Sequence, residues 1–162
     1  MKKLEYFTTV YEFNSIDELT DNDKELVLMA MQAAGNAYAP YSRFHVGAAL
    51  KLVDGTFVIG NNQENIAYPS GLCAERVAVF SASAKYPGIA FDSLAITAKS
   101  DDFFVDYPIT PCGACRQVLA EYEHLFNKPI RVILSGEKGK ILVFTKVDDL
   151  LPFSFKADKL KK

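Results

Sequence analysis

The chain has 162 residues, 49% of them apolar and 23% charged, with a formal net charge of −2 and an isoelectric point of about 5.7. A chain of this length buries enough core to fold as one domain without disulfide bonds, and its acidic balance provides no field to attract a phosphate backbone. We therefore expect a small-molecule partner and no nucleic acid. The longest apolar helical run, Leu26 to Met31, is too short to cross a bilayer, and the N-terminus lacks the apolar stretch of a signal peptide. We expect no membrane partner and a cytoplasmic location.

The first element predicted along the chain is a helix that begins near Thr20. Thr20 and Asp23 form a pair that resembles a capping box. The helix is expected to end before Pro40, because the residue preceding a proline avoids helical backbone angles. Residues 1–20 mix apolar and acidic side chains, and no element is assigned to them. We treat them as an N-terminal extension of open role within a single domain that spans 1–162.

The rest of the chain predicts strands separated by helices. Such an order requires crossover connections with helices packed on a mixed sheet, which is an α/β layered domain. Residues 148–155 are expected to form a helical turn or an extended cap. The predicted elements are a hairpin over 44–62 with Asp54-Gly55 at its turn, helices over 73–86 and 115–126, and strands over 93–100, 131–136 and 140–147.

The three cysteines are predicted to bind a metal ion. Their odd number, in a chain without a recognisable export signal, argues against a disulfide framework. Cys73 begins one predicted helix, and Cys112 and Cys115 begin another, where backbone N–H groups and the helix dipole stabilise thiolates. Cys112 and Cys115 lie on one face of a helical turn and can chelate a single ion. Cys73 would supply a third sulfur from the neighbouring helix.

Three sulfur ligands leave one tetrahedral position open, which is typical of a catalytic zinc site. His124 would lie about 13 Å along a helix from Cys115, and nothing directs His45 to the helix starts, so water is the expected fourth ligand. Glu75 follows Cys73 by two residues and is predicted to act as general acid and base. Arg76 is predicted to donate to the thiolates and offset part of their charge.

The combination of motifs resembles a known family. Cys-Ala-Glu at 73–75 and Pro-Cys-x-x-Cys at 111–115 occur in order with APYSRFHVGAAL, NQENIAY and LLPFSF. This pattern, spanning about 39–155, is similar to the small, homotetrameric, three-cysteine members of the cytidine and deoxycytidylate deaminase family. The resemblance implies one Zn²⁺ per subunit and a three-layer α/β/α fold with a five-stranded mixed sheet. It also implies hydrolysis of cytidine or deoxycytidine to the uracil nucleoside and ammonia, a reaction of pyrimidine salvage.

The resemblance further implies roles for residues outside the metal motifs. Asn62 and Glu64 match the family segment that hydrogen-bonds the ribose hydroxyls, and Tyr68 is the last residue of that segment. Phe44 matches an aromatic residue that packs against the base, and the Ala74 backbone would contact the pyrimidine. Phe155 matches a phenylalanine that reaches a neighbouring subunit's site. Gln117 matches a position near the metal-binding helices.

Several alternatives stay open at this point. Phe44 can serve the core as well as the substrate, and Asn62 and Glu64 can be turn residues. The stretch 69–72 varies within the family and lines the approach to the site, so a modified cytosine nucleoside such as blasticidin S is an alternative substrate. A free base is disfavoured, because it would not need the ribose pair. A structural zinc module is the alternative from another class, and it would require a fourth protein ligand.

Overall fold

The computed structural model describes residues 1–156 of the chain. These residues form one mixed sheet, three helices and three short 3₁₀ turns. The 3₁₀ turns cover Ile16–Glu18, Tyr68–Ser70 and Val147–Asp149. The helices are α1 (Asp21–Ala34), α2 (Ala74–Lys85) and α3 (Gly113–Leu125), and the strands are β1 (Tyr11–Phe13), β2 (Phe44–Leu52), β3 (Phe57–Asn61), β4 (Phe91–Ser100), β5 (Arg131–Leu134) and β6 (Ile141–Phe144).

The sheet has six strands in the order β1-β6-β5-β4-β2-β3. Only β4 and β5 run parallel, and the other neighbours are antiparallel. The expected number of five strands is wrong by one, because β1 comes from the N-terminal extension, to which no element was assigned. Tyr11, Glu12 and Phe13 pair with Val143, Leu142 and Ile141, and so cover the edge of β6.

The helices form two layers, one on each face of the sheet. Because side chains alternate along a strand, neighbouring residues of β2 face different layers. Ala49 joins the core cluster that contains Val27 and Ala30 of α1, whereas Ala48 and Leu50 join the cluster on the α2 and α3 side. The three-layer α/β/α class is therefore confirmed. Within residues 1–156, no helix is both long and apolar enough to cross a membrane.

The start of α1 matches its prediction, but its end does not. The Thr20 hydroxyl accepts a hydrogen bond from the Asp23 N–H at 3.3 Å, as expected of an N-cap. The helix ends at Ala34 rather than just before Pro40. The reason is tertiary, because Tyr38 donates its N–H to the Asn62 carbonyl at 3.0 Å and so extends alongside the segment that follows β3.

Glycine at two strand positions allows the helices to approach the sheet closely. A Cβ on Gly47 would lie 2.0 Å from the Ala30 carbonyl oxygen of α1. A Cβ on Gly60 would lie 2.5 Å from both the Ala74 carbonyl oxygen and the Ala78 nitrogen of α2. The atoms that such a Cβ would meet belong to the helix backbone, which cannot move aside as a flexible side chain can. These glycines therefore determine how closely α1 and the first turn of α2 pack on the sheet.

The close packing at Gly60 has a measurable consequence. We expect Gly60→Ala to lower the melting temperature by about 5–10 °C, because the methyl group must displace the first turn of α2. Gly113→Ala is the matched control, since a Cβ there meets nothing within 4 Å. Differential scanning calorimetry measures both variants. A Gly60→Ala protein with the same melting temperature as the wild type would contradict this explanation of how α2 packs on the sheet.

Candidate active site

The three cysteine sulfurs converge between the beginnings of α2 and α3. Cys73 and Cys112 are the N-cap residues of these helices, and neither uses its side chain to cap a backbone N–H. The Sγ atoms of Cys73 and Cys112 lie 3.9 Å apart, and those of Cys112 and Cys115 lie 3.4 Å apart. All three sulfurs fall within 4.8 Å of one another. The predicted grouping of one cysteine with a Cys-x-x-Cys pair is therefore present in the fold.

The sulfur cluster has the dimensions of a zinc site. Zn–S bonds of about 2.3 Å in tetrahedral geometry place sulfurs about 3.8 Å apart, close to the two separations found here. Within residues 1–156 the cluster holds three ligand-type side chains and no fourth. His45 is instead 3.2 Å from Asp101, and His124 is 3.3 Å from Asp148. The site therefore fits one zinc ion with one coordination position open to water or substrate.

The environment of the cluster favours a thiolate at Cys73, whereas the hydrogen bond with Cys73, together with burial, raises the pKa of the Cys115 thiol. Hydrogen bonds from Cys115, Arg76 and Cys112 outweigh the cost of burial and lower the pKa of Cys73 to about 5. Arg76 lies one turn along α2, with its Nη2 3.8 Å from the Cys73 sulfur. The N-terminus of α2 adds its positive dipole to the same thiolate. Thiolate is the metal-binding form of cysteine, so this environment favours ligation.

Glu75 is a buried carboxylate that faces the same space as the sulfurs. It lies in the first turn of α2, is 4% exposed, and lines the cavity with Cys73 and Cys112. Burial, together with the negative charge of Cys73, raises the pKa of its carboxyl above the ordinary glutamate value. A carboxyl group with a raised pKa holds a proton more readily than an ordinary glutamate, which suits a group that must both accept and release one.

The cavity that ends at the metal site has a volume of about 660 Å³. This volume is within the range of pockets that enclose a small-molecule ligand. Asn62, Glu64, Phe44 and Tyr68 line its walls, and Cys73, Cys112 and Glu75 lie among the same lining residues. Four of the six substrate-contact residues predicted from sequence are therefore brought together around one cavity.

Asn62 and Glu64 also have local structural roles. The Asn62 amide accepts from the Val46 N–H at 2.8 Å and donates to the Phe44 carbonyl at 2.9 Å. The Glu64 carboxylate accepts from the backbone N–H groups of Tyr41 and Ser42 and from the Ser42 hydroxyl. Burial opposes ionisation of Glu64, but these hydrogen bonds prevail and hold its pKa below the usual value. The two side chains thus tie the segment after β3 to the beginning of β2 and to the turn before it.

The aromatic residues and Ala74 occupy different parts of the wall. The half-buried Phe44 ring stacks on Phe103, with centroids 6.1 Å apart and planes inclined by 26°. Tyr68 is exposed at the cavity mouth and meets the edge of Tyr41 at 6.1 Å. Ala74 is fully buried behind the cavity, where its carbonyl packs against Gly60.

Gln117 and Phe155 lie outside the cavity of their own chain. Gln117 donates its side-chain amide to the Phe155 carbonyl at 3.0 Å and accepts from the Phe155 N–H at 2.8 Å. The Phe155 side chain is 72% exposed and is absent from the lining of the cavity. Gln117 thus holds the backbone at Phe155 from α3, the helix that also carries Cys115.

Tyr41, Ser42 and Phe103 support predicted site residues but were not singled out from the sequence. Tyr41 and Ser42 anchor Glu64, and Phe103 covers one face of Phe44. Ser42 stands two residues before a predicted strand, where a hydroxyl often bonds a nearby backbone N–H, and it does so with Phe44 at 3.1 Å. No local pattern marks Phe103, because its contact with Phe44 depends on the pairing of β2 with β4.

The fold and site together define a zinc-dependent hydrolytic enzyme, since three thiolates leave an open position beside a buried carboxylate. Residues 20–125 match the family model described as the cytidine and deoxycytidylate deaminase zinc-binding region. The cytidine deaminase of Halalkalibacterium halodurans is 43% identical over 135 residues, which cover 83% of this chain and 95% of the relative. The chain therefore belongs to the cytidine and deoxycytidylate deaminase family, and the resemblance seen in its motifs is confirmed.

Two further comparisons agree with this family. The crystal structure of the cytidine deaminase from Burkholderia pseudomallei is 41% identical, with a TM-score of 0.71, covering 85% of this chain and 100% of that one. The cytidine deaminase of Sporosarcina psychrophila is 42% identical over 138 residues, covering 85% of this chain and 93% of the relative. A blasticidin-S deaminase from Bacillus cereus is more distant, at 28% identity over 140 residues.

Proposed function

We propose that this protein hydrolyses the exocyclic amine of cytidine and deoxycytidine, releasing ammonia and leaving uridine or deoxyuridine. The observation that carries the proposal is the placement of buried Glu75 in the same cavity as Cys73 and Cys112 of the three-sulfur cluster. Membership of the deaminase family and the names of the relatives, cytidine deaminases at 42–43% identity, support the substrate. The open metal position argues against a purely structural zinc module, which would need a fourth protein ligand.

In the proposed reaction, this chain's residues bind zinc and move protons. When bound by Cys73, Cys112 and Cys115, the zinc ion lowers the pKa of water and so supplies a nucleophile at neutral pH. Glu75 accepts the proton from that water and delivers it to the ring nitrogen as oxygen adds to the carbon bearing the amine. Glu75 then takes the remaining proton from the added hydroxyl and passes it to the amine, which leaves as ammonia as the carbon–nitrogen bond breaks and the carbonyl forms.

Asn62 and Glu64 are proposed to hold the sugar. Each keeps hydrogen-bonding capacity after its contacts within the chain, because an amide has two N–H donors and a carboxylate has about four acceptor positions. Phe44 supplies a flat apolar surface for the base, already supported from behind by Phe103. Tyr68 would close the mouth, and the Ala74 backbone would contact the pyrimidine.

The charge of the cavity favours a nucleoside over a nucleotide. Its lining contains two carboxylates, on Glu64 and Glu75, and one guanidinium, on Arg76. Arg76 is directed to the Cys73 sulfur. Three thiolates with one Zn²⁺ add a further net negative charge. A 5′-phosphate would therefore meet repulsion rather than a cationic partner.

A panel of substrates tests this proposal. We expect ultraviolet absorbance to show loss of the cytosine band with cytidine and deoxycytidine, and kcat/KM at least about 100-fold lower with their 5′-monophosphates. Cytosine is the control for the sugar contacts and blasticidin S is the control for a modified nucleoside. A zinc-loaded protein that acts on blasticidin S but not on cytidine would replace the proposed substrate. Preference for the monophosphate would show that the charge argument is wrong.

We further propose that the protein works as a homotetramer in the cytoplasm. The implied role of Phe155 requires a neighbouring subunit, and its exposed side chain outside its own cavity suits that role. All three cysteines are free of disulfides, and a reducing compartment keeps them available as thiolates. Analytical ultracentrifugation of the zinc-loaded protein measures the assembly, and a monomer with full activity would exclude a shared site.

A further inference from the structure

The N-terminal arm, defined as residues 6–13, lies outside the region that matches the family model, which begins at residue 20. Its inner part is β1, which pairs antiparallel with β6. Glu12 adds an ion pair with Lys140 across this pairing. The side chain of Phe13 packs against the core cluster formed with α1. The arm is therefore attached along the edge of the sheet, and its outer part extends beyond that edge.

The outer part of the arm contacts the C-terminal segment, defined as residues 149–155. The Thr8 hydroxyl donates to the Asp149 carbonyl oxygen at 3.2 Å. The ring of Tyr6 meets Phe153 edge-on, with centroids 4.7 Å apart and planes inclined by 65°. This is a favourable arrangement of two aromatic rings. Two separate contacts thus join the arm to a segment that has no helix or strand of its own beyond Asp149.

The same C-terminal segment is held on its other side by α3. Arg116 donates to the Leu150 carbonyl at 3.0 Å and to the Pro111 carbonyl at 2.8 Å. Gln117 makes its paired hydrogen bonds with the backbone of Phe155. Both residues follow directly after the metal ligand Cys115. The segment that presents Phe155 is therefore fixed between the metal-bearing helix and the N-terminal arm.

We propose that the N-terminal arm positions the C-terminal segment for substrate binding, with Tyr6 as its positioning residue. The effect on substrate rests on the function proposed above, in which Phe155 completes a neighbouring site. Hydrogen bonds from Gln117 fix only the backbone at Phe155, whereas the Tyr6 ring restrains Phe153 two residues earlier. Loss of the ring contact would let the segment sample other conformations, and a site completed by Phe155 would then bind substrate less tightly.

A simpler role for the arm is protection of the β6 edge against pairing with other chains. That role belongs to Tyr11, Glu12 and Phe13, which form the strand. Tyr6 lies five residues before β1, so a substitution there leaves the strand pairing in place. Variants at Tyr6 therefore separate positioning of the C-terminal segment from protection of the sheet edge.

The test compares Tyr6→Ala with two controls in the full-length, zinc-loaded protein. Tyr6→Phe keeps the ring. Phe7→Ala removes an aromatic ring of the same arm that is 87% exposed, against 59% for Tyr6. Hydrogen–deuterium exchange of the peptide covering 150–156 is the first readout, and the KM and kcat for cytidine are the second.

We expect Tyr6→Ala to speed exchange in that peptide by about 3- to 10-fold and to raise KM by a similar factor. The kcat should change little, and both controls should match the wild type. Unchanged exchange in Tyr6→Ala, or an equal effect of Phe7→Ala, would overturn the contact as a restraint. Faster exchange with an unchanged KM would overturn the positioning role. If the wild type does not deaminate cytidine, the proposed function fails, and the exchange data alone decide whether the arm restrains the segment.

Discussion

Glu75→Gln is expected to lower kcat for cytidine by about 10²- to 10⁴-fold while leaving one zinc ion bound per chain. Glutamine has nearly the same volume and fits the same first turn of α2, but it cannot exchange a proton. The thiolate ligands are unchanged, so metal content should stay constant. Because the variant also removes a carboxylate that is 4% exposed, its melting temperature should equal or exceed that of the wild type.

Glu123→Gln is the matched control for this variant. Glu123 is also a buried carboxylate, but it accepts hydrogen bonds from the backbone N–H groups of Ile130, Val147 and Asp148. In the glutamine variant the side-chain NH2 group would face backbone N–H groups, so two donors would meet without an acceptor. The free energy of unfolding should therefore fall by about 1–3 kcal/mol, while kcat is retained. Steady-state kinetics, zinc analysis and thermal denaturation distinguish the two sites. Full turnover by zinc-loaded Glu75→Gln would remove Glu75 from the mechanism.

The second large effect is expected at Cys115, the fully buried ligand. Cys115→Ala should reduce bound zinc to below about a tenth of an ion per chain and abolish turnover, because two sulfurs cannot complete a three-ligand site. A metal ion that binds only the folded protein stabilises it, by about 4 kcal/mol at a free concentration 1,000 times its dissociation constant. The wild type should therefore lose several degrees of melting temperature on treatment with a chelator.

Treatment with a chelator distinguishes two possible effects of Cys115→Ala, the loss of bound metal and the loss of core packing. The melting temperature of Cys115→Ala should not respond to the chelator, since no metal remains to be removed. Ala114→Ser is the control, because Ala114 is exposed in the same turn of α3 and bears no ligand atom. It should respond to chelation as the wild type does. A Cys115→Ala protein that binds zinc in full would contradict the three-sulfur site.

The motifs that carry the chemistry were predictable from the sequence because they are local. Cys112 and Cys115 lie one helical turn apart, so their spacing alone places both sulfurs on one face. Thr20 with Asp23 marked the start of α1, and Asp54-Gly55 marked the hairpin between β2 and β3. In each case the residues that interact are within a few positions of one another, where backbone geometry sets their relation.

The sixth strand, the end of α1 and the contacts of several site residues depended on tertiary structure. β1 is three residues long, and its backbone groups find their partners along the edge of β6. Asn62 and Glu64 were expected at the sugar, but their bonds to the beginning of β2 and to the turn before it exist because the hairpin returns there.

The metal ligands, the carboxylate beside them, the family and the order of most elements could be predicted from the sequence. The contact of Thr8 with Asp149 across 141 residues, and that of Gln117 with the backbone of Phe155, could be found in the folded chain alone. The physical reason is that short spacings are governed by the 3.6-residue helix and the two-residue strand period. Contacts between distant segments depend instead on which surfaces pack together, and no local period records that choice.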